Sequence, residues 1–274
     1  MNSRAETGVR TVSGRQKTGS NRGWRTVAQA AVIPVAALLL WQLVVQLRWV
    51  SDDFLPSPLT IIGSFAELIF SGGFYTDMRV SFNRVLIGFA LGGSLGLAFG
   101  VAVGMFRKVE QAVDPTVQMI RMIPHLAIAP LIILWFGFTE TSKILIIAKG
   151  TFFPLYINTY LGIRSADRQL FEVARALEFS RFQQAVRLVL PSALPNILLG
   201  VRVAFGLAWI CVLIAELIGS NSGLGFIILH AQQISDAPGL FAGVAVFALI
   251  GVITDALVQL LERTLLRWRD SYKG

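Results

Sequence analysis

Six stretches of about 20 mainly apolar residues recur along the chain, at roughly 27–47, 85–106, 116–138, 144–163, 196–218 and 239–261. A run of that length crosses the hydrocarbon core of a bilayer as an α-helix. In hydrocarbon only helices and closed barrels satisfy every backbone polar group. No strand-like alternation lies between the runs, so the expectation is an all-α membrane protein with six transmembrane helices in one membrane domain. Composition agrees, at 54% hydrophobic and 15% charged residues, outside the range of ordinary soluble domains. The first run is too long and too internal for a cleaved signal peptide.

Basic residues set the orientation, because Lys and Arg collect in short loops on the cytoplasmic side. With the N-terminus inside, 17 of the 24 Lys and Arg residues fall in cytoplasmic segments. Both termini and the loop after the fourth span are then cytoplasmic. Arg48, Arg79, Arg84 and Lys143 lie outside or at its boundary, and Arg121, Lys149 and Arg202 fall within spans. The net charge of +8 is thereby spread along membrane edges beside anionic lipid, which argues against nucleic-acid binding. Residues 1–25 read as a disordered basic tail and 266–274 as a second cytoplasmic tail, flanking a permease domain at 26–265. Leu59–Phe70 and Gly223–Ile234 are apolar but too short to cross, and are expected along the outer face, the latter with a re-entrant alternative.

The spans carry features that ordinary lipid-facing helices lack. Gly88, Gly92, Gly96, Gly100 and Gly104 place a small residue at every fourth position, a surface that lets another helix approach closely. The third run is interrupted by Pro124 and Pro130, and a proline in a span leaves a backbone group that something else must satisfy. Arg121 and His125 stand four residues apart beside that interruption and are expected on one helix face. Lys149, Arg202, Glu216 and Asp255 are further intramembrane ions, which mark transport pathways or pair with one another. Glu216 falls near the outer end of its span, where an outer gate would lie, and Asp255 near the cytoplasmic end. The single cysteine, Cys211, is mid-span, leaving no intrachain disulfide and no Cys-based metal site.

Between Glu172 and Pro191 runs the most polar internal stretch. From Arg168 to Glu178, Leu170, Phe171, Ala174 and Leu177 fall on one side of a helix and Arg168, Glu172 and Arg175 on the other. Ser180 with Gln183 fits a capping box that starts a second helix, with Phe182, Ala185, Val186 and Val189 on its apolar side and Pro191 at its end. Such a pair either anchors a loop at the interface or docks on a partner.

This stretch resembles the cytoplasmic loop of ATP-binding-cassette importer permeases, whose pattern is Glu-Ala-Ala, three residues, Gly, nine residues, Ile-x-Leu-Pro. Glu172, Ala174, Leu190 and Pro191 match at that spacing, while Glu178 stands where the family places Gly. A Gly there takes a left-handed backbone at little cost, so either Glu178 bends the chain differently or Ser180 makes the break. Leu55-Pro-Ser-Pro58, Leu134-Trp-Phe-Gly137, Ala215-Glu-Leu-Ile218 and Ser222-Gly-Leu-Gly225 resemble the nitrate, taurine and aliphatic sulfonate permeases. Within that group, Ile120–Leu131 and Phe153–Thr159 are most similar to the aliphatic sulfonate permeases.

The resemblance implies a type I importer permease fold, with coupling helices at about 168–190 that use Glu172, Ala174, Glu178, Ser180, Leu190 and Pro191 to dock on an ATPase subunit. It further implies a homodimer in the bacterial cytoplasmic membrane, two ATPase subunits and an extracytoplasmic substrate-binding protein. An organic anion, an aliphatic sulfonate first and nitrate, taurine or a pyrimidine precursor as the alternative cargo, would then pass Arg121, His125, Lys149, Arg202 and Glu216. No Gly-rich phosphate loop followed by Lys and Ser or Thr occurs, and His125 and His230 lack partners at metal spacing. The chain reads as no enzyme and needs no cofactor. A secondary transporter using Glu216 and Asp255, or an anion channel, would require no coupling loop.

Overall fold

The computed structural model describes residues 21–165, 172 and 176–266, and all regular structure among them is helical. In chain order the elements are α1 (Asn21–Gln46), α2 (Pro58–Phe70), α3 (Phe74–Met105), α4 (Arg107–Arg121), α5 (His125–Phe136), α6 (Glu140–Arg164) and α7 (Arg181–Gln184). After a π-helical turn at Ala185–Val189 come α8 (Leu190–Gly219), α9 (Leu224–Gln233) and α10 (Ala237–Leu265). The chain divides into two compact units, Met1–Pro58 and Leu59–Gly274.

In the first unit α1 begins at Asn21, so residues 21–25, expected in the disordered tail, are helical. Once an apolar stretch has nucleated a helix, extending it adds one backbone hydrogen bond per residue. The rest of that tail and residues 267–274 lie outside the described residues.

Four helical segments among the described residues are long and apolar enough to cross a membrane: Phe74–Met105, Glu140–Arg164, Ala185–Gly219 and Ala237–Leu265. The third sequence run is different. It consists of α4 and α5, bent by 97° at the short Met122–Pro124 link, and makes a fifth span only if the pair is counted as one. The apolar part of α1, Val32–Gln46, is a shorter helix, so the described residues do not reach the expected six long spans. Pro124 explains the break: it has no N–H to donate and sits at φ −57°, ψ 141°, outside the helical region. Pro130 lies inside α5 without ending it.

The glycine stripe of α3 is the seam against α6. A methyl group built on Gly88 would lie 2.5 Å from Ile147 Cγ2, one on Gly100 2.7 Å from Thr159 Cβ, and one on Gly104 2.9 Å from Ile163 Cβ. At Gly92 and Gly96 it would run into the backbone carbonyls of Ala148 and Phe152. Removing the side chains lets two backbones touch, which is how helices gain van der Waals contact where lipid supplies no hydrophobic drive. On the α8 side of α6, Gly200 packs against Asn158 and Pro154, and Gly162 against Asn196 and Ala193. The main core, with Val85, Ile146, Ile147, Ala208 and Val212 buried, lies where α3, α6 and α8 meet.

Pro191 does not end a helix, contrary to the sequence expectation. The chain stays helical from Arg181 to Gly219, and Pro191 falls in the first turn of α8 behind the π-turn. Five-residue spacing there accommodates a residue that has no N–H to return to the preceding turn.

Candidate functional site

Two of the charged clusters among the described residues of the α3–α10 bundle are built differently. The first joins α3, α6, α8 and the turn into α9. On one face of α3, Asp77, Ser81 and Arg84 continue the line of the glycine stripe at helical spacing. Glu216 of α8 is fully buried, and its carboxylate accepts from Arg84 Nη1 at 2.8 Å, Ser81 Oγ at 2.7 Å and the Gly225 N–H at 2.8 Å. The remaining Arg84 nitrogens donate to both oxygens of Glu140 at 2.7 and 2.6 Å, and Lys143 Nζ donates to Glu140 at 2.8 Å.

The same groups terminate α9. Its first amides are taken by Asp77 (Gly223 N–H, 2.7 Å), Ser81 (Leu224 N–H, 2.8 Å) and Glu216 (Gly225 N–H). Three carboxylate or hydroxyl acceptors thus satisfy the otherwise orphaned N–H groups of a helix start. The motif Ser222-Gly-Leu-Gly225 acquires a physical meaning here. Gly223 has φ +110°, and a methyl group at Gly223 or Gly225 would fall 2.5 to 2.7 Å from Glu216 atoms. Only glycine lets the turn close over the carboxylate. Glu216 and Gly225 were legible from sequence. Arg84, Asp77, Ser81 and Glu140 were not, although the continuation of the glycine face by Ser81 and Arg84 was a usable signal.

The second cluster lies at the bend between α4 and α5. Lys149 Nζ donates to the Ile123 carbonyl at 2.7 Å and stands 6.0 Å from the Phe153 ring centre. Lys149 is nine residues from the Glu140 end of α6 and fifteen from the Arg164 end, about 13 and 22 Å at 1.5 Å per residue, so the bend sits beside the interior of α6, away from both of its ends. The Ile123 carbonyl is not taken up by the next turn, since the N–H groups of Ala127 and Ile128 both go to Pro124 O. No carboxylate of the described residues pairs with Lys149 or with Arg121, which ends α4 and is exposed. His125 starts α5, its Nε2 buried without a hydrogen-bond partner, and its ring faces Gly150 close to Cys211. Arg121 and His125 therefore do not share a helix face as expected, because the 97° bend separates them. Both nevertheless border the same bend.

The other intramembrane candidates are paired. Arg202 Nε meets Asp255 Oδ1 at 2.6 Å, with Gln259 on the other carboxylate oxygen at 2.7 Å and Glu262 at 3.8 Å. Toward the Arg164 end, Tyr156 donates to Asp114 at 2.6 Å and Tyr160 to Glu110 at 2.7 Å, and Arg164 forms an ion pair with Glu110.

In the polar loop, Glu172 is helical and exposed, whereas Ala174 lies outside the described residues. Ser180 makes the expected capping box: Gln183 N–H donates to Ser180 Oγ at 3.3 Å and Ser180 N–H to Gln183 Oε1 at 2.9 Å. Glu178 takes the left-handed conformation itself, at φ 56°, so the backbone bend survives without glycine, and the cap follows it. Glu178, Ser180, Leu190 and Pro191 are all exposed.

Long apolar helices, a span broken by a 97° bend and exposed polar residues between α6 and α8 define a multi-pass membrane permease. Residues 74–267 match the family described as "Binding-protein-dependent transport system inner membrane component". The chain belongs to that family, and its fold is that of the type I permeases of ATP-binding-cassette importers. It is 49% identical over 261 residues, 95% of this chain and 94% of the relative, to the "Putative aliphatic sulfonates transport permease protein SsuC" of Bacillus subtilis (strain 168). The protein of the same name from Escherichia coli (strain K12) is 42% identical, covering 88% of this chain and 91% of the relative. The taurine transport system permease protein TauC of that strain is 32% identical, covering 84% and 86%. The MetNI methionine ABC transporter, solved in inward-facing conformations, shares the fold at 17% identity, with a TM-score of 0.59 over 68% of this chain and 92% of that one. These relatives are transport permeases and not themselves enzymes.

Proposed function

We propose that this chain is the membrane-spanning subunit of an ATP-driven importer that brings aliphatic sulfonates into the bacterial cytoplasm. Two copies form the pathway, two ATPase subunits dock on the polar loops, and an extracytoplasmic binding protein delivers the substrate. Both termini and the 165–190 loop face the cytoplasm in this reading, supported by the excess of Lys and Arg in those segments. The naming of the relatives at 49% and 42% identity supports the sulfonate class over taurine, whose named relative is 32% identical.

The observation that carries the proposal is Lys149: a cation in the interior of a candidate span, without a carboxylate partner among the described residues, beside a broken helix. Discontinuous helices near the midplane are a common way for transporters to hold substrate. A sulfonate carries a permanent negative charge, which the ammonium attracts more strongly as water is excluded. Arg121 and His125 border the same bend and line the path with Lys149. Arg202 and Glu216, held by Asp255 and Arg84, build the walls that position it. On the loop, Glu172, Ala174, Glu178, Ser180, Leu190 and Pro191 form the coupling surface, a role that suits the exposure of all but the undescribed Ala174.

The test is ATP hydrolysis in proteoliposomes holding this chain with its ATPase and binding protein. An alkanesulfonate should stimulate hydrolysis, and Glu172→Ala should abolish the stimulation while leaving membrane insertion intact. Stimulation by taurine or nitrate alone would replace the cargo. Uptake by this chain without ATP would overturn the importer.

A further inference from the structure

One ridge of α6, formed by Lys149, Phe153, Tyr156, Tyr160 and Arg164, reaches α4 and the link that follows it through long side chains at three points. The order is antiparallel: Lys149 holds the Ile123 carbonyl just past α4, Tyr156 holds Asp114 in its middle, and Tyr160 and Arg164 hold Glu110 in its first turn. Beside these bonds, Val109, Val113 and Val117 of α4 pack with Phe153, Tyr156 and Tyr160 of α6 in a small apolar cluster, in which Val117 is the buried residue of α4. Both ends of α4 are breaks, at Phe106 (φ −117°, ψ 107°) and at the 97° bend. It is therefore a short rod between two joints, fastened to α6 by polar bonds. One end reaches Lys149 and the other reaches Arg164, which ends α6 where the polar loop begins.

We infer that α4 is the relay that reports anion occupancy at Lys149 to the cytoplasmic loop, with Glu110 and Tyr160 as its positioning residues at the loop end. The inference rests on the anion reading of the bend. The Lys149 ammonium bonds a neutral carbonyl, and a sulfonate oxygen competes for it with a full charge, which makes a stronger hydrogen bond. When the ammonium turns to the anion, the Ile123 carbonyl loses its tie to α6 and the rod is free to shift on its two joints. Glu110 then moves against Arg164 and Tyr160 at the root of the loop. Substrate and rod share one ammonium, so each biases the other, as linkage requires.

The experiment uses the complete transporter in proteoliposomes, with nitroxide labels at Thr116→Cys on α4 and Leu95→Cys on α3, both exposed. The inter-label distance should change when an alkanesulfonate is added and stay fixed in Lys149→Met. Glu110→Gln keeps an acceptor for Tyr160 but loses the ion pair. It should still bind sulfonate and hydrolyse ATP at the basal rate, with stimulation reduced at least about fivefold, the lower end of allosteric couplings. Should Glu110→Gln fail to assemble, Tyr160→Phe replaces it, with a smaller reduction in the same direction. A fixed distance in a transporter that sulfonate stimulates, or full stimulation in Glu110→Gln or its replacement Tyr160→Phe, would overturn the relay and leave the importer standing. Full sulfonate stimulation in Lys149→Met would instead remove the anion reading and the relay with it.

Discussion

The cluster around Glu216 and the bend at Lys149 contain similar residues and differ in charge balance. Around Glu216, Arg84 and Lys143 are paired with Glu140 and Glu216, Asp77 accepts from the turn into α9, and the carboxylate of Glu216 accepts three short hydrogen bonds at full burial. At the bend, Lys149 has a carbonyl and an aromatic ring but no carboxylate among the described residues. A satisfied buried ion pair fixes geometry and has nothing left to offer a ligand. A cation held only by a neutral acceptor keeps most of its charge for one. The comparison separates a fastening from a binding site without reference to position in the sequence.

Arg84→Met is the severest way to test the fastening, because it leaves Glu216 buried without its cation. Thermal unfolding in detergent should register a loss of about 3–5 kcal/mol. Combining it with Glu216→Leu should recover about 2 kcal/mol as coupling between the two sites. A single variant as stable as the parent would deny the cluster its role.

The seam that presents both clusters is probed by Gly96→Leu, whose side chain meets the Phe152 carbonyl and should destabilise by about 1–3 kcal/mol. Gly251→Leu serves as its control. Nothing lies within 4 Å of a methyl group at Gly251, so unfolding should be unchanged or slightly delayed. Lys149→Met sharpens the comparison from the other side, since only the Ile123 carbonyl loses a partner. Its stability loss should stay within about 1–2 kcal/mol while sulfonate uptake disappears. An unfolding loss as large as that of Arg84→Met would make Lys149 a second fastening. Smallest is Glu178→Gly, which removes the left-handed strain at φ 56°. It should raise stability by up to about 1 kcal/mol, as read by unfolding.

Hydropathy made the spans legible because transfer into hydrocarbon depends on local composition alone. The glycine stripe was equally legible, since four-residue spacing identifies a helix face before its partner is known. The bend was legible in part. Pro124 announces a break, but its angle depends on where α4 and α5 find neighbours, and that angle separates Arg121 from His125. Glu216 stood out as an ion in an apolar run, whereas Arg84, 132 positions away, becomes its partner only through the packing of α3 against α8. Pro191 misled because a proline after a periodic stretch reads as a stop. The π-turn before it carries the helix through.

The central claim is that Lys149 receives the anion in an ATP-driven importer. Uptake of a labelled alkanesulfonate into proteoliposomes, compared between the parent and Lys149→Met at equal insertion and with ATPase and binding protein present, tests it most directly. The account predicts ATP-dependent uptake in the parent and none above background in the variant. Undiminished uptake in Lys149→Met would contradict it.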